Sequence, residues 1–300
     1  MALWIPITLA AAAFQTLRFM VQRQLALGTL SASGATFARF CYSAPLVVVL
    51  VAGYLSLSGQ NLPAMPLAFW LYGAAGGLAQ ILATICVVML FKARNFAVGI
   101  TFKKTEVIQT VLVGLVVLGD GVSVWGLFAI CLGLVGLVLL SKPPGSQGFA
   151  WSHLWNKAAG LGLASGILFA ISAVTYRGAS LTLVSDDPVL RAGVTLAAVT
   201  MMQMASMGLW LHWRAPGQLR AVWQARRVAV WVGLMSMCGS FCWFLAFTLQ
   251  NAAYVKALGQ VELILSGLAS ALVFRETVLL REWVGMAVLL ASVLILVLAI

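Results

Sequence analysis

Ten apolar stretches follow one another along this chain with little between them, and that succession limits what it can fold into. They run Leu3–Val21, Ala35–Leu57, Leu67–Phe91, Phe96–Leu118, Val122–Leu140, Ala158–Tyr176, Val189–Leu211, Val228–Thr248, Ala253–Phe274 and Trp283–Ile300. A helix needs about 20 mostly apolar residues to cross the hydrocarbon core of a bilayer. Of the 300 residues 63% are apolar and only 8% charged, too few charges to clothe a soluble surface. The expected fold is an all-α polytopic membrane protein of ten transmembrane helices, with the lipid bilayer as its first partner. The opening Met-Ala-Leu-Trp-Ile-Pro carries no basic residue, so the first stretch reads as a retained span and not as a cleaved signal.

The formal charge of +11 would suggest nucleic acid in a soluble chain. Here Lys and Arg fall mostly between apolar stretches, where they meet headgroups and set orientation. No basic cluster is interleaved with exposed aromatics, so nucleic-acid binding is not expected. The loops after the first, third, fifth, seventh and ninth stretches, with their helix ends, hold thirteen Lys and Arg, among them Arg18, Arg23 and Arg39. The opposite face holds two, Arg177 and Arg191. The positive-inside rule therefore predicts that both termini lie outside the cytoplasm. Arg39 and Arg191 read as anchors or inter-helix partners.

Chemistry that needs a metal, nucleotide or nucleophile is not visible. The five cysteines all lie in apolar stretches, and His153 and His212 are the only histidines. Neither zinc-ligand spacing nor a phosphate-binding Gly-rich loop is present. No enzyme activity and no cofactor is expected.

The halves of the chain resemble each other. The longest polar interruption, Ser141–Lys157, divides a first five-helix repeat (1–141) from a second (158–300), with 142–157 as linker. An offset of 156 residues lays Phe91 on Phe247, Asn95 on Asn251, Ala97 on Ala253, Glu106 on Glu262 and Asp120 on Glu276. Five spans per half is an odd number, so the halves enter the membrane in opposite senses. Such inverted repeats commonly form carriers around a central cavity. Small residues at four-residue spacing, such as Gly73/Gly77 and Ala129/Gly133, allow close helix approach. Whether they pack one monomer or a homodimer stays open.

Lys103, Lys104, Glu106, Lys256 and Glu262 stand inside the fourth and ninth stretches. An ionised group at that depth costs about 2.5–3.5 kcal/mol on insertion scales and by default marks a solute path. Lys103 and Glu106 share a helix face at i, i+3, which Thr110 extends, and read either as a self-neutralising pair or as part of that path. Lys104 and Lys256 read alternatively as snorkelling side chains. The candidate substrate or coupling cavity is Glu106, Glu262, Lys103, Lys256, Gln80, Gln260, Tyr42, Tyr176 and Trp243, with Gln15, Thr84 and Tyr254 as further polar residues on the spans. Gly99 and Gly259 would allow backbone or substrate to approach.

The pattern resembles the EamA-type, ten-span branch of the drug/metabolite transporter superfamily. The resemblance rests on Ala-Thr-Phe-Ala-Arg-Phe-Cys-Tyr-Ser-Ala-Pro-Leu at 35–46, on Asp120 and Glu276 just after the fourth and ninth spans, and on the closing spans Trp125–Leu140 and Trp283–Leu298. It implies an alternating-access carrier with spans five and ten at the periphery and eight spans around the cavity. Members export amino acids, other metabolites or toxic cations, or move sugars and nucleotide sugars. Members often carry a proline near the positions of Glu106 and Glu262, and are usually drawn with cytoplasmic termini. The expected function is export of amino acids or similarly small zwitterionic metabolites, since a cavity holding both Lys103 and carboxylates suits a small-molecule zwitterion. The alternatives are an efflux carrier for hydrophobic cations and, from another class, an intramembrane enzyme or channel.

Overall fold

Apolar sequence of this kind has to bond its own backbone, because hydrocarbon offers no partners, and helices do so within one segment. The structure, a computed structural model, describes residues 3–28, 30–91, 103–140, 157–264 and 280–298. These hold eleven helices and, among the described residues, no strand. In chain order they are α1 (Trp4–Leu27), α2 (Ala32–Ser58), α3 (Leu67–Phe91), α4 (Glu106–Leu118), α5 (Val124–Leu140), α6 (Lys157–Leu181), α7 (Pro188–Arg214), α8 (Pro216–Gln224), α9 (Arg226–Leu249), α10 (Ala252–Leu258) and α11 (Leu280–Leu298). Gly99, Ser266, Glu276 and the linker before Lys157 lie outside the described residues.

Among the described residues, six helices are long and apolar enough to cross a membrane: α1, α2, α3, α6, α7 and α9. Three apolar helices are shorter, Glu106–Leu118, Val124–Leu139 and Trp283–Leu298. Where the sequence suggested continuous fourth and ninth spans, the structure interrupts both. Lys104 and Thr105 form a turn before α4 begins at Glu106, and Gly259 and Gln260 form a turn after α10. There the bonding tightens to Gln260 N–H donating to the Ala257 carbonyl at 3.1 Å and Glu262 N–H to the Gly259 carbonyl at 3.1 Å. This i→i−3 pattern is what a short 3₁₀ turn makes inside a helix. The 156-residue offset that lays Glu106 on Glu262 also lays one interruption on the other to within one residue. Glu106 opens α4, where a negative charge suits the positive end of the helix dipole, and Glu262 stands second in the helical residues 261–264 that follow the other turn.

The most extensive helix contacts pair α3 with α6, α1 with α9, α5 with α11 and α2 with α7. Every one of these pairs joins the first half of the chain to the second. Exchanging the halves turns the α1–α9 pair into the α6–α3 pair and returns α2–α7 and α5–α11 to themselves. The α5–α11 contact is close because Gly136 lies against backbone: a Cβ there would stand 2.9 Å from the Gly285 carbonyl oxygen and 2.9 Å from the Leu289 nitrogen. Ser292 Oγ donates to the Ala129 carbonyl at 2.7 Å across the same interface.

Polar junctions hold the helix ends. Arg177 reaches from α6 to Asp120, 2.7 Å away, and to the carbonyls of Phe247 and Gln250 at 2.8 and 3.0 Å, satisfying acceptors at the end of α9. Asp187 caps α7, accepting from the Val189 and Leu190 N–H groups, from Tyr54 Oη at 2.6 Å and from Gln60 at 3.2 Å. Its slight burial pushes the carboxyl upward. The bonds from Tyr54 and Gln60 and from the Leu190 and Val189 N–H groups together outweigh this and hold it below the usual carboxylate range. At the other end α8 lies across the start of α2, where the Ser31 N–H donates to Gln218 at 2.9 Å.

Candidate functional site

The two interrupted segments bring their charges together. Lys103 Nζ lies 3.6 Å from Glu106, and Lys256 Nζ approaches the same carboxylate from α10 at 3.7 Å. Lys104 crosses the other way to Glu262 at 3.4 Å, and Gln15 Nε2 on α1 donates to that carboxylate at 2.8 Å. Lys103 and Lys104 are each 3% exposed, so neither reaches a headgroup as a snorkelling lysine would. Aromatic faces cover what the carboxylates do not. Lys256 Nζ stands 5.0 Å from the Trp243 ring and 5.5 Å from Phe169, and Lys103 Nζ is 5.1 Å from Phe169. Trp243 gets this close to α10 because Gly259 has no side chain, and a Cβ there would lie 2.5 Å from the indole edge.

A cavity of about 30 Å³ opens beside Lys256, enough for a water or two. Its polar lining comes from Gln15 and Arg18 on α1, Arg39 on α2, Gln80 on α3, Ser172 on α6 and Ser240 on α9. Phe169, Tyr176, Trp243, Phe244 and Phe247 supply aromatic rings to the same lining. Tyr176 stacks on Phe244 at 4.4 Å, and Trp243 on Phe247 at 5.7 Å. The floor is fixed by a triangle. Tyr176 Oη donates to Gln80 at 3.1 Å, and Gln203 Nε2 donates to Gln80 at 3.0 Å and to Tyr176 Oη at 3.3 Å.

Of the residues singled out from sequence, Gln15, Gln80, Tyr176, Trp243 and Lys256 line this cavity. Lys103, Glu106 and Glu262 stand behind it in the ion-pair cluster, and Thr84 touches it through Arg39, whose Nη1 donates to Thr84 Oγ1 at 3.3 Å. Three residues stand elsewhere. Tyr42 points to the short helix α8, donating to the Val222 carbonyl at 3.2 Å, because its face of α2 packs there and not inward. Gln260 lies in a crevice with Gly133, Leu289 and Ser292, since the turn at Gly259 rotates it away from Lys256. Tyr254 bonds the Ser123 backbone N–H at 2.8 Å.

The cavity also holds Arg18, counted above among the loop charges, and Arg39, read above as an anchor or an inter-helix partner. Arg18 is 3% exposed and Arg39 5%, so neither sits among headgroups. Arg39 is an inter-helix partner, its second bond running from Nη2 to Ser240 Oγ at 3.0 Å. Arg18 lies against the Phe19 ring at 4.2 Å, and its Nη1 is buried with no hydrogen-bond partner among the described residues. A signal for both was present in the sequence. Gln15, Arg18 and Gln22 fall on one face of α1, as Thr36, Arg39 and Ser43 do on α2, at spacings of three and four residues.

No family model and no curated protein matches the sequence. A solved crystal structure of another protein is similar over 99% of this chain and 96% of its own, with a TM-score of 0.73 at 15% identity. At that identity the likeness is one of fold, an all-helical fold with helices fit to cross a membrane.

Proposed function

We propose that this chain is an alternating-access secondary carrier of the drug/metabolite transporter kind, exporting small carboxylate-bearing metabolites, amino acids among them, across the bacterial inner membrane. The observation that carries the reading is the position of Lys256. It pairs with Glu106 across two interrupted helices and at the same time lines a cavity between helices from both halves. Buried charge is expensive in an apolar bundle and is kept where it serves a polar path. Interrupted helices at the centre of an inverted repeat are a common way to build such a path.

Ten crossings and an inverted repeat belong to the same proposal. The match of both interruptions under one offset supports it, as does the exchange symmetry of the helix pairs. Without Arg18 and Arg39, eleven basic residues remain on the first face against Arg177 and Arg191 on the other, so we also propose that both termini lie outside the cytoplasm. A cationic cargo fits poorly, because both carboxylates of the cluster already face lysines.

Purified protein in proteoliposomes, offered a panel of labelled amino acids and carboxylic acids, tests the reading. Saturable uptake with counterflow is expected. No uptake of any member would overturn it, and uptake without saturation or counterflow would replace the carrier with a channel.

A further inference from the structure

Among the described residues, the buried charges of the site do not balance. Arg18, Arg39, Lys103, Lys104 and Lys256 are buried cations, and Glu106 and Glu262 are the carboxylates placed with them. The lysines are answered, since each has a glutamate within 4 Å. The arginines have no carboxylate at that distance among the described residues. Arg39 bonds the hydroxyls of Thr84 and Ser240 and lies over the Phe40 ring, and Arg18 has the Phe19 ring, an unbonded Nη1 and only a share of the field of Glu262, which is already paired with Lys104. Hydroxyls accept a hydrogen bond but do not neutralise a guanidinium, which keeps its proton under all ordinary conditions. Burying such a charge without a counter-charge is costly, and a bound anion removes that cost. Guanidinium pairs match the two oxygens of a carboxylate in distance and plane. Much of the remaining lining is aromatic, from Phe169, Tyr176, Trp243, Phe244 and Phe247 beside Ser172 and Ala173, so the part of the ligand beyond its anionic end meets mostly rings.

We propose that Arg18 and Arg39 form an anion-binding pair, and that the site selects net-anionic organic carboxylates with an apolar body over zwitterionic and cationic molecules of the same shape. Lys256 supplies the third positive edge of the cavity while remaining tied to Glu106. The cavity as it stands, about 30 Å³, has room for the carboxylate, and a larger ligand body requires the lining to open. That the ligand is carried rests on the transport reading above; that it binds does not.

Three probes share a phenyl ring and differ in charge: 3-phenylpropionate, phenylalanine and phenethylamine. Their effect on the thermal unfolding of the detergent-solubilised protein separates the cases, because a binder stabilises the folded form by mass action. Tm is expected to rise most with 3-phenylpropionate, less with phenylalanine and not with phenethylamine. Sodium chloride at equal ionic strength is expected to do nothing. Arg18→Gln and Arg39→Gln should each weaken 3-phenylpropionate binding about tenfold or more, the effect of losing one charge-assisted hydrogen bond in a dry site. Arg39→Lys should bind more weakly than wild type and more tightly than Arg39→Gln.

Equal stabilisation by phenethylamine, an equal rise with chloride, or unchanged binding in both Gln variants would overturn the proposal. The wild-type probe series needs no variant and decides the charge preference even if the substitutions prevent folding. Binding through the arginines with no transport of any solute would leave the anion site standing and remove the carrier. Amino-acid transport undiminished in folded Arg18→Gln and Arg39→Gln would do the reverse.

Discussion

Lys104 and Glu262 lie 158 positions apart in sequence and 3.4 Å apart in space, one at each interrupted helix. With Lys256 returning to Glu106 at 3.7 Å, two ion pairs cross-brace the interruptions. The turns at 104–105 and 259–260 give up part of the helical ladder, and the crossed pairs tie the loosened backbone of each segment to the other.

Removing one member of a brace strands a buried charge. Glu262→Gln is expected to lower stability by about 3–5 kcal/mol, the usual cost of breaking a buried pair from one side. Lys104→Met combined with Glu262→Met should cost much less than the two single changes added together, since neither charge is left alone. Unfolding of the four proteins in detergent gives the coupling directly; additive losses would mean that the pair is not an energetic unit.

Arg177 is expected to be structural. It bonds Asp120 and two carbonyls at the end of α9 from a partly buried position. Arg177→Ala should cost about 1.5–3 kcal/mol, the range for hydrogen bonds involving a charged group. Binding of carboxylate probes by the folded variant should be unchanged, because Arg177 lies outside the cavity lining.

Asp187 predicts an acid-sensitive cap. Its carboxyl is held below the usual range by Tyr54, Gln60 and the start of α7, against the small upward push of burial. A depressed native pKa contributes stability that is fully present above the unfolded value, about 3.9, and lost as pH falls through the lower native one. Asp187→Asn keeps an acceptor for the helix N–H groups. Its stability should therefore depend less on pH than that of wild type below about pH 4. Parallel pH–Tm curves for the two proteins would count against this.

Gly136→Val tests the α5–α11 contact. A side chain there meets backbone 2.9 Å away on two sides, and backbone cannot swing aside as a side-chain tip can. The expected loss is about 1–3 kcal/mol or more from overpacking. A variant with wild-type Tm would show that these helices separate at little cost.

Much of this architecture was readable before any coordinates. Apolar length alone marked the long helices, and the recurrence of Glu106 at Glu262 pointed to the two segments that are interrupted. The pairing pattern was not legible: Lys103 and Glu106 share a helix face, but nothing in the local sequence says that Lys256 joins them or that Lys104 reaches Glu262. Arg18 was misplaced, and Arg39 left between two readings, for a related reason. An arginine near the end of an apolar stretch looks the same whether that end meets headgroups or a neighbouring helix, and burial is decided by what packs against it. Their polar neighbours three and four residues away carried the distinction. Tyr42 failed the other way, being an amphipathic ring on an apolar helix whose outward face happens to meet α8.

The partnership of helices from opposite halves has a consequence for how the chain can be taken apart. Extensive associations such as α3 with α6 and α1 with α9 join residues on either side of 141–156 in sequence. Two fragments made separately, one ending near Leu140 and one beginning near Lys157, would each lack the surfaces that complete it and would find them only on the other. Co-expressed, such fragments should assemble into a working whole, and expressed singly, neither should persist.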